Sequence, residues 1–240
     1  MAAERAGVAE LWLWEDCFLQ GGIAQAAAAL ASSETLIVGL GVLPAPLRNV
    51  VTTAMEIATL DAMFPGRLRV GIGHGVQDWM RQAGAAVASP LTLMREYVTA
   101  LTELLAGRSV TVDGRYVRLT DVRLDWAPQQ RVPVLIGGAG PKTLALAGEL
   151  ADGVILDAQY TVDTLRDALG HVASGRADRG ESPFNTVLFL ACGADQVAAS
   201  VGIYLDEAVD TLVFQPAGPQ SVMAELITAV GDVATRLQAT

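Results

Sequence analysis

Two short stretches combine residue types that can move protons. Glu15, Asp16 and Cys17 follow one apolar run, and His74 follows another with a glycine on each side. Adjacent carboxylates can accept hydrogen bonds from a ligand or act as general acids and bases, and the pKa of histidine suits proton transfer near neutral pH. The acids could equally cap the next helix from a solvated loop, and the histidine could bond to backbone. Cys17 is expected to be a small buried side chain rather than a nucleophile.

Glycines lie where a flat or anionic ligand could approach the backbone. Gly39 and Gly41 are two residues apart in one apolar run, so one face of that predicted strand is bare and could back a planar ring. A tight helix–strand contact explains them equally well. The turn 137–142 is rich in glycine and leads into a predicted helix, whose free amides would bind an anion with Lys142 nearby. An ordinary strand–helix turn is the alternative.

Short apolar runs alternate with longer amphipathic ones, which predicts strands alternating with helices. The strands are continuous apolar runs, so both faces should be buried in a parallel sheet. Asp113-Gly114 predicts a β-hairpin inserted at about 109–120. Strands are expected at 12–14, 36–43, 68–72, 132–136, 154–156, 186–191 and 211–215, and helices at 24–31, 49–64, 90–106, 142–150, 162–173, 196–208 and 221–237.

Two parallel architectures fit this pattern, a doubly wound open sheet and a (β/α) barrel. Seven regular units favour the barrel. The glycines from Gly71 to Gly75 recur at every second position, which differs from the dinucleotide-binding fingerprint G-x-G-x-x-G. No linker interrupts the chain, so we expect one domain over residues 1–240. In a barrel, functional residues lie at the carboxyl ends of strands, where Asp16 and His74 fall.

The composition excludes several classes of function. Sixteen basic and 26 acidic residues give a net charge of −10, which argues against binding to nucleic acid or an anionic membrane. Two cysteines and two histidines without ligand spacing predict neither a disulfide framework nor a metal site. The apolar runs are too short to span a bilayer, and the first residues do not resemble a signal peptide. A cytoplasmic protein is therefore expected.

Four sequence blocks resemble the bacterial luciferase-like oxidoreductases, in particular the deazaflavin-dependent members related to methylenetetrahydromethanopterin reductase. The resemblance extends from Met1 to about Asp157, and it implies a TIM (β/α)8-type barrel rather than an open sheet. In the order of the family, the blocks are Gly41–Asn49, Glu56–Asp61, Gly66–Gly75 and Gly140–Gly153.

The resemblance implies an oxidoreductase that transfers a hydride between coenzyme F420, a deazaflavin, and a small organic substrate. Asp16 and His74 would be the polar groups nearest to the reacting edge of the ring. An FMN-dependent monooxygenase of the same family and a non-catalytic flavin-binding barrel are the alternatives. The residues implied in cofactor binding are Gly39, Gly41, Val42, Gly73, Gly75, Gly137, Gly138, Gly140 and Lys142.

The chain departs from the pattern of the family at several points. Cys17 occupies the place where many deazaflavin enzymes have histidine. Val76 replaces a proton-handling glutamate of some relatives, which argues against a sugar-phosphate dehydrogenase. The family's first strand precedes the helix that here begins at Met1. We therefore expect a barrel without its first strand. Three explanations are open: the chain is a truncated member of the family, its upstream start was missed, or it is a smaller, adapted barrel.

Two further features are implied by the resemblance. Relatives carry a non-proline cis peptide behind the ring, at the place that matches Gly41–Val42. Family members also pair through helices on one side of the barrel, and the predicted helices 49–64 and 90–106 are strongly apolar for surface helices. A homodimer is therefore expected.

Overall fold

Helices and strands alternate in the computed structural model, which describes residues 2–180, 182–218 and 222–238. The strands are Glu10–Leu13 (β1), Ile37–Pro44 (β2), Leu68–Gly73 (β3), Val110–Asp113 (β4), Arg118–Val122 (β5), Val134–Gly137 (β6), Gly153–Leu156 (β7), Asn185–Cys192 (β8) and Thr211–Pro216 (β9). The helices are Ala2–Arg5 (α1), Gly22–Ala31 (α2), Val50–Met63 (α3), Gln77–Gln82 (α4), Pro90–Leu105 (α5), Pro141–Leu150 (α6), Val162–Gly175 (α7), Val197–Tyr204 (α8) and Met223–Gln238 (α9).

Each predicted strand and helix has a counterpart, although the bounds shift by a few residues. The predicted helix 196–208 is shorter, because α8 ends at Tyr204. The predicted start of the last helix, Ser221, lies outside the described residues. The sequence pattern did not predict α4, which is only six residues long.

Seven strands form one parallel sheet in the order β1-β2-β3-β6-β7-β8-β9. Buried residues are paired in register along it, Val70 of β3 with Val134 of β6 and Ile155 of β7 with Val187 of β8. Continuous apolar runs form such strands because both faces of the sheet are covered. The sheet curves into a nearly closed barrel, which confirms the predicted architecture.

The barrel is open between its two edge strands. Within the described ranges β1 pairs only with β2, and β9 pairs only with β8. A cavity of about 630 Å³, here called the edge cavity, is lined by every residue of both strands and by Leu226 and Val230 of α9. Seven parallel strands with one opening match the predicted barrel that is one strand short.

The inserted hairpin lies where Asp113-Gly114 predicts it, and its turn is four residues long. β4 and β5 pair antiparallel, and residues 114–117 connect them. The carboxylate of Glu96 on α5 accepts hydrogen bonds of 2.8 to 3.0 Å from the amides of residues 115–117. A side chain from outside the hairpin therefore satisfies the amides that a tight turn would satisfy internally.

The apolar faces of α3 and α5 are largely buried against other parts of the same chain. Ile57 and Leu101 are fully buried, and Tyr97 donates a buried hydrogen bond of 2.7 Å to Thr53 across the two helices. Packing within one chain thus explains the apolar character of these helices. The homodimer stays a prediction, and so does the cytoplasmic location. In the described part of the chain, every helix is too short or too polar to cross a bilayer.

Helices α6 and α7 approach each other through glycines. A Cβ on Gly148 would lie 2.1 Å from the carbonyl oxygen of Val172, and one on Gly175 would lie 1.9 Å from that of Ala145. Both distances are far below a van der Waals contact, so each helix presents bare backbone to the other. Gly170 of α7 faces open space instead, with no atom within 4 Å of its Cβ position.

Replacing Gly148 with alanine should destabilise the protein by about 1–3 kcal/mol, because the added methyl group overpacks the contact between α6 and α7. Replacing Gly170 with alanine should stabilise it by about 0.4–1 kcal/mol, because alanine loses less backbone entropy in a helix. Urea unfolding followed by circular dichroism measures both changes. Equal effects of the two substitutions would contradict the close approach of the helices.

Candidate functional site

A cavity of about 610 Å³, here called the site cavity, opens at the carboxyl ends of the barrel strands. All seven strands, or the loops that follow them, contribute to its lining. The ends converge because the strands run parallel, and the volume is in the range of small-molecule binding sites. The lining includes both predicted proton-transfer residues, Asp16 and His74.

The floor of the site cavity is bare backbone with the side chain of Val42 lying across it. A Cβ on Gly73 would lie 2.3 Å from Val42 Cγ2, and one on Gly137 would lie 2.6 Å from Val42 Cγ1. Gly73 and Gly137 are register partners on β3 and β6. Glycine at both positions makes room for Val42, which lies where the pairing of β2 with β3 shifts register.

The face of β2 at Gly39 is covered by a protein side chain, whereas the sequence predicted that this face could back a planar ring. A Cβ on Gly39 would lie 2.3 Å from the indole of Trp12, and Gly39 does not line the site cavity. Gly39 thus makes room for a core side chain of the neighbouring strand. Gly41 does line the cavity, and the Gly41–Val42 peptide bond is cis, as predicted. A second non-proline cis bond precedes Phe18.

His74 and Thr143 connect the end of β3 with the first turn of α6. His74 Nε2 lies 2.9 Å from Thr143 Oγ1. Burial lowers the pKa of His74 below its usual 6.5, and an interaction with the backbone of Pro90 opposes this effect. The ring is therefore neutral at pH 7, with one proton that either nitrogen can hold. Thr143 was not predicted, although it directly follows Lys142.

The turn before α6 presents backbone to the site cavity. Residues 137–139 line the cavity, and Gly140 begins the helix without a side-chain cap. Amides at such a helix start, together with the helix dipole, suit an anion. A Cβ on Gly138 would lie 2.6 Å from Thr143 Cγ2. Lys142 is exposed and does not line the cavity, so the structure offers backbone here rather than a cation.

The loops after β1 and β3 carry three more residues singled out in the sequence. Gly75 has φ +66°, and a Cβ there would lie 2.7 Å from Met80 Sδ, so both conformation and space require glycine. Val76 and Cys17 line the site cavity. Burial, with the nearby acids Asp16 and Glu15, raises the pKa of the Cys17 thiol, so the thiol is protonated at neutral pH and a poor nucleophile.

Three carboxylates line the site cavity, those of Glu15, Asp16 and Asp157, whereas its described lining includes neither lysine nor arginine. Burial raises the pKa of Asp16, because surrounding protein removes part of the water around its carboxylate. Burial alone would also raise the pKa of Glu15, but hydrogen bonds from Arg48 and the Gly22 amide lower it. Of the two adjacent acids, Asp16 therefore takes up a proton more readily than Glu15.

Aromatic rings form one side of the site cavity. The ring centroids of Trp14 and Phe189 lie 6.3 Å apart with a tilt of 37°, and Trp79 of α4 also lines the cavity. Neither these rings nor Asp157 and Gln215 were predicted. Asp157 directly follows β7 and Gln215 lies near the end of β9, so the rule that selected Asp16 and His74 would have identified both at the later strands.

The free energy of unfolding should decrease as the pH falls from 7.5 to 5, more steeply in the native protein than in His74→Gln. The buried ring has a lower pKa than in the unfolded chain, so the unfolded state binds more protons below pH 6.5 and is favoured there. Urea unfolding at several pH values measures the slope. An unchanged slope in His74→Gln would contradict a buried neutral ring.

Comparison with known proteins identifies relatives of this chain. A 5,10-methylenetetrahydromethanopterin reductase of Methanolobus tindarius is 31% identical over 182 residues, which cover 75% of this chain and 55% of that protein. An F420-dependent glucose-6-phosphate dehydrogenase of Microbacterium testaceum is 34% identical over 131 residues, or 52% of this chain and 38% of that protein. The chain thus spans about half the length, or less, of the curated relatives it matches.

A solved structure shares the fold. The coenzyme F420 dependent tetrahydromethanopterin reductase from Methanopyrus kandleri superposes with a TM-score of 0.86 at 18% identity, covering 98% of this chain and 93% of that chain. At this identity the likeness establishes the barrel fold alone. A profile of the luciferase-like monooxygenase family matches residues 1–210, most of the chain. The chain therefore belongs to the luciferase-like monooxygenase family.

Proposed function

We propose that this chain binds a deazaflavin of the coenzyme F420 type in the site cavity and transfers a hydride between it and a small organic substrate. The observation that carries the proposal is that the Val42 floor, packed on Gly73 and Gly137, lines the same cavity as Asp16 and His74. The Microbacterium relative and the Methanopyrus protein are both named as F420-dependent, which supports the choice of cofactor.

The floor of the site cavity fits a planar ring. Because Gly73 and Gly137 make room for the side chain of Val42, Val42 and the adjoining backbone are the surface on which a flat group would pack. Trp14 and Phe189 contribute aromatic surface to one side of the cavity. When bound, a deazaflavin supplies a carbon that accepts or donates a hydride, and the chain has only to hold and orient the reactants around it.

The anionic end of the cofactor is assigned to the turn before α6. The Gly138 amide donates to the Ile155 carbonyl and Pro141 has no N–H, so the other amides at the uncapped start of this ten-residue helix would favour negative charge. The three carboxylates of the site cavity repel it elsewhere. Lys142 lies in the first turn of α6, where an exposed cation adds a favourable long-range contribution. In an acidic chain, backbone groups rather than a basic surface would bind this anion.

Asp16 and His74 are assigned the proton transfer that accompanies hydride transfer. Removing a hydride from an alcohol carbon forms a carbonyl and releases the proton of the hydroxyl group, so the site needs a base, and the reverse reaction needs an acid. The raised pKa of Asp16 lets its carboxylate bind and return a proton more readily than a carboxylate that is fully surrounded by water. His74 Nε2, next to Thr143 Oγ1, is the second group that can hold a proton.

Gly138→Val should weaken binding of F420 by about tenfold or more, because its side chain would displace Thr143 and obstruct the amides of the turn. Titration with F420 and with FMN, followed by the tryptophan fluorescence to which Trp14 and Trp79 of the cavity contribute, measures the affinities. Gly170→Ala, whose methyl group faces solvent, should bind F420 like the native chain. Tighter binding of FMN would favour the FMN-dependent monooxygenase, and binding of neither cofactor would contradict the proposal.

Asp16→Asn should lower kcat by about 100-fold, because the amide cannot exchange the proton, while the affinity for F420 stays the same. The absorbance of F420 reports turnover with a panel of primary and secondary alcohols. Asp125→Asn alters an exposed acid outside the site cavity and should keep the native kcat. If native protein bound F420 without turning over any alcohol, alcohol oxidation would be excluded, and equal kcat values for both variants would contradict the role of Asp16.

A further inference from the structure

A buried ion pair lies directly beside Asp16 in the chain. Glu15 Oε1 accepts a hydrogen bond of 2.6 Å from Arg48 Nε, and Glu15 Oε2 accepts one of 2.6 Å from Arg48 Nη2. This pairing of the two planar groups through two parallel bonds is the geometry in which an arginine fixes a carboxylate most firmly. The side chains of Arg48 and Glu15 are only 17% and 13% exposed, so water competes little for these bonds.

The pair connects four elements around the mouth of the barrel. Glu15 follows β1, and its Oε2 also accepts a hydrogen bond of 2.7 Å from the amide of Gly22, the first residue of α2. Arg48 follows β2, and its Nη1 donates a hydrogen bond of 2.7 Å to Glu56 of α3. All three nitrogens of the guanidinium group are therefore engaged. The loop after β1 is thereby fixed at Glu15 and again at the start of α2.

Between these two points the loop has few other contacts. The Leu19 amide donates a hydrogen bond of 2.8 Å to the Asp16 carbonyl within the loop, and the side chains of Phe18 and Leu19 are largely exposed. Among the described residues, the Asp16 carboxylate accepts no hydrogen bond that would hold it in place. Its position therefore depends on the neighbouring residue, whose carboxylate is held at three points.

We propose that Arg48 is a positioning residue, which holds Asp16 at the mouth of the site cavity by acting through Glu15. Arg48 itself does not line the cavity. It also balances the charge of Glu15, which otherwise would be a buried, unpaired anion next to Asp16. The role rests on the function proposed above for Asp16.

The first test measures the loop itself and requires neither cofactor nor substrate. Arg48→Met should increase the hydrogen-exchange rates of the Leu19 and Gly22 amides by about tenfold or more, as mass spectrometry of peptides spanning residues 14–25 would detect. Arg95→Met is the matched control, because Arg95 also makes two hydrogen bonds to one carboxylate, that of Glu149, away from the site cavity. Unchanged exchange in Arg48→Met would overturn the proposal.

The second test asks whether Arg48 acts through Asp16. Arg48→Met should lower kcat about tenfold without changing the affinity for F420, and it should cause no further loss in a chain that already carries Asp16→Asn. Arg48→Lys, which keeps the charge but loses the planar group, should restore only part of kcat. Losses that simply add in the double variant would show a general structural effect and overturn the proposal.

Two measures keep these outcomes distinct. If Arg48→Met does not fold, Glu15→Gln replaces it, because the amide keeps the size of the side chain and loses the ion pair; the same exchange and kinetic changes are expected. Failure of the proposed function has a different signature, in which the native chain binds no F420 or Asp16→Asn keeps full activity. Hydrogen exchange still decides in that case whether Arg48 holds the loop.

Discussion

The packing of Val42 against two glycines is the contact on which the site cavity depends. Gly73 and Gly137 are register partners on neighbouring strands, so their missing side chains form one bare patch two strands wide. Val42 crosses this patch from β2, and a methyl group at either glycine would displace it. His74 and Gly138 follow the two glycines directly, so the same register that forms the floor also brings the histidine next to Thr143 at the start of α6.

The charges around the site cavity divide it into two unlike regions. The acids follow β1 and β7, whereas uncapped backbone amides lie at the start of α6, after β6. Arg48 lies next to the acidic region. All three nitrogens of its guanidinium group donate hydrogen bonds to Glu15 or Glu56, so it is not available to bind an anionic ligand. The anion binding proposed above would therefore rely on fixed backbone dipoles, because the net charge of −10 does not attract an anion to the surface of this chain.

The sequence predicts local and periodic features well, because they depend on residues close together in the chain. Continuous apolar runs identified the parallel strands, and the position of Asp16 and His74 after two of them placed both in one cavity. Contacts between distant residues were not predictable in this way. Glu96 of α5 accepts hydrogen bonds from amides of the hairpin turn, and Trp12 of the adjacent strand β1 occupies the space over Gly39. The cis bond before Val42 was implied by the family resemblance, since no local pattern indicates it.

The opening in the barrel explains why a buried ion pair supports the loop after β1. Within the described residues β1 has a neighbouring strand on one side only, and Trp14, Asp16 and Gln215 line both the edge cavity and the site cavity. The loop that carries Asp16 therefore follows a strand that is paired on the β2 side, whereas the edge cavity lies on the other side. Arg48 follows β2 on the paired side, and its two bonds to Glu15 supply the rigidity that a second neighbouring strand would otherwise provide.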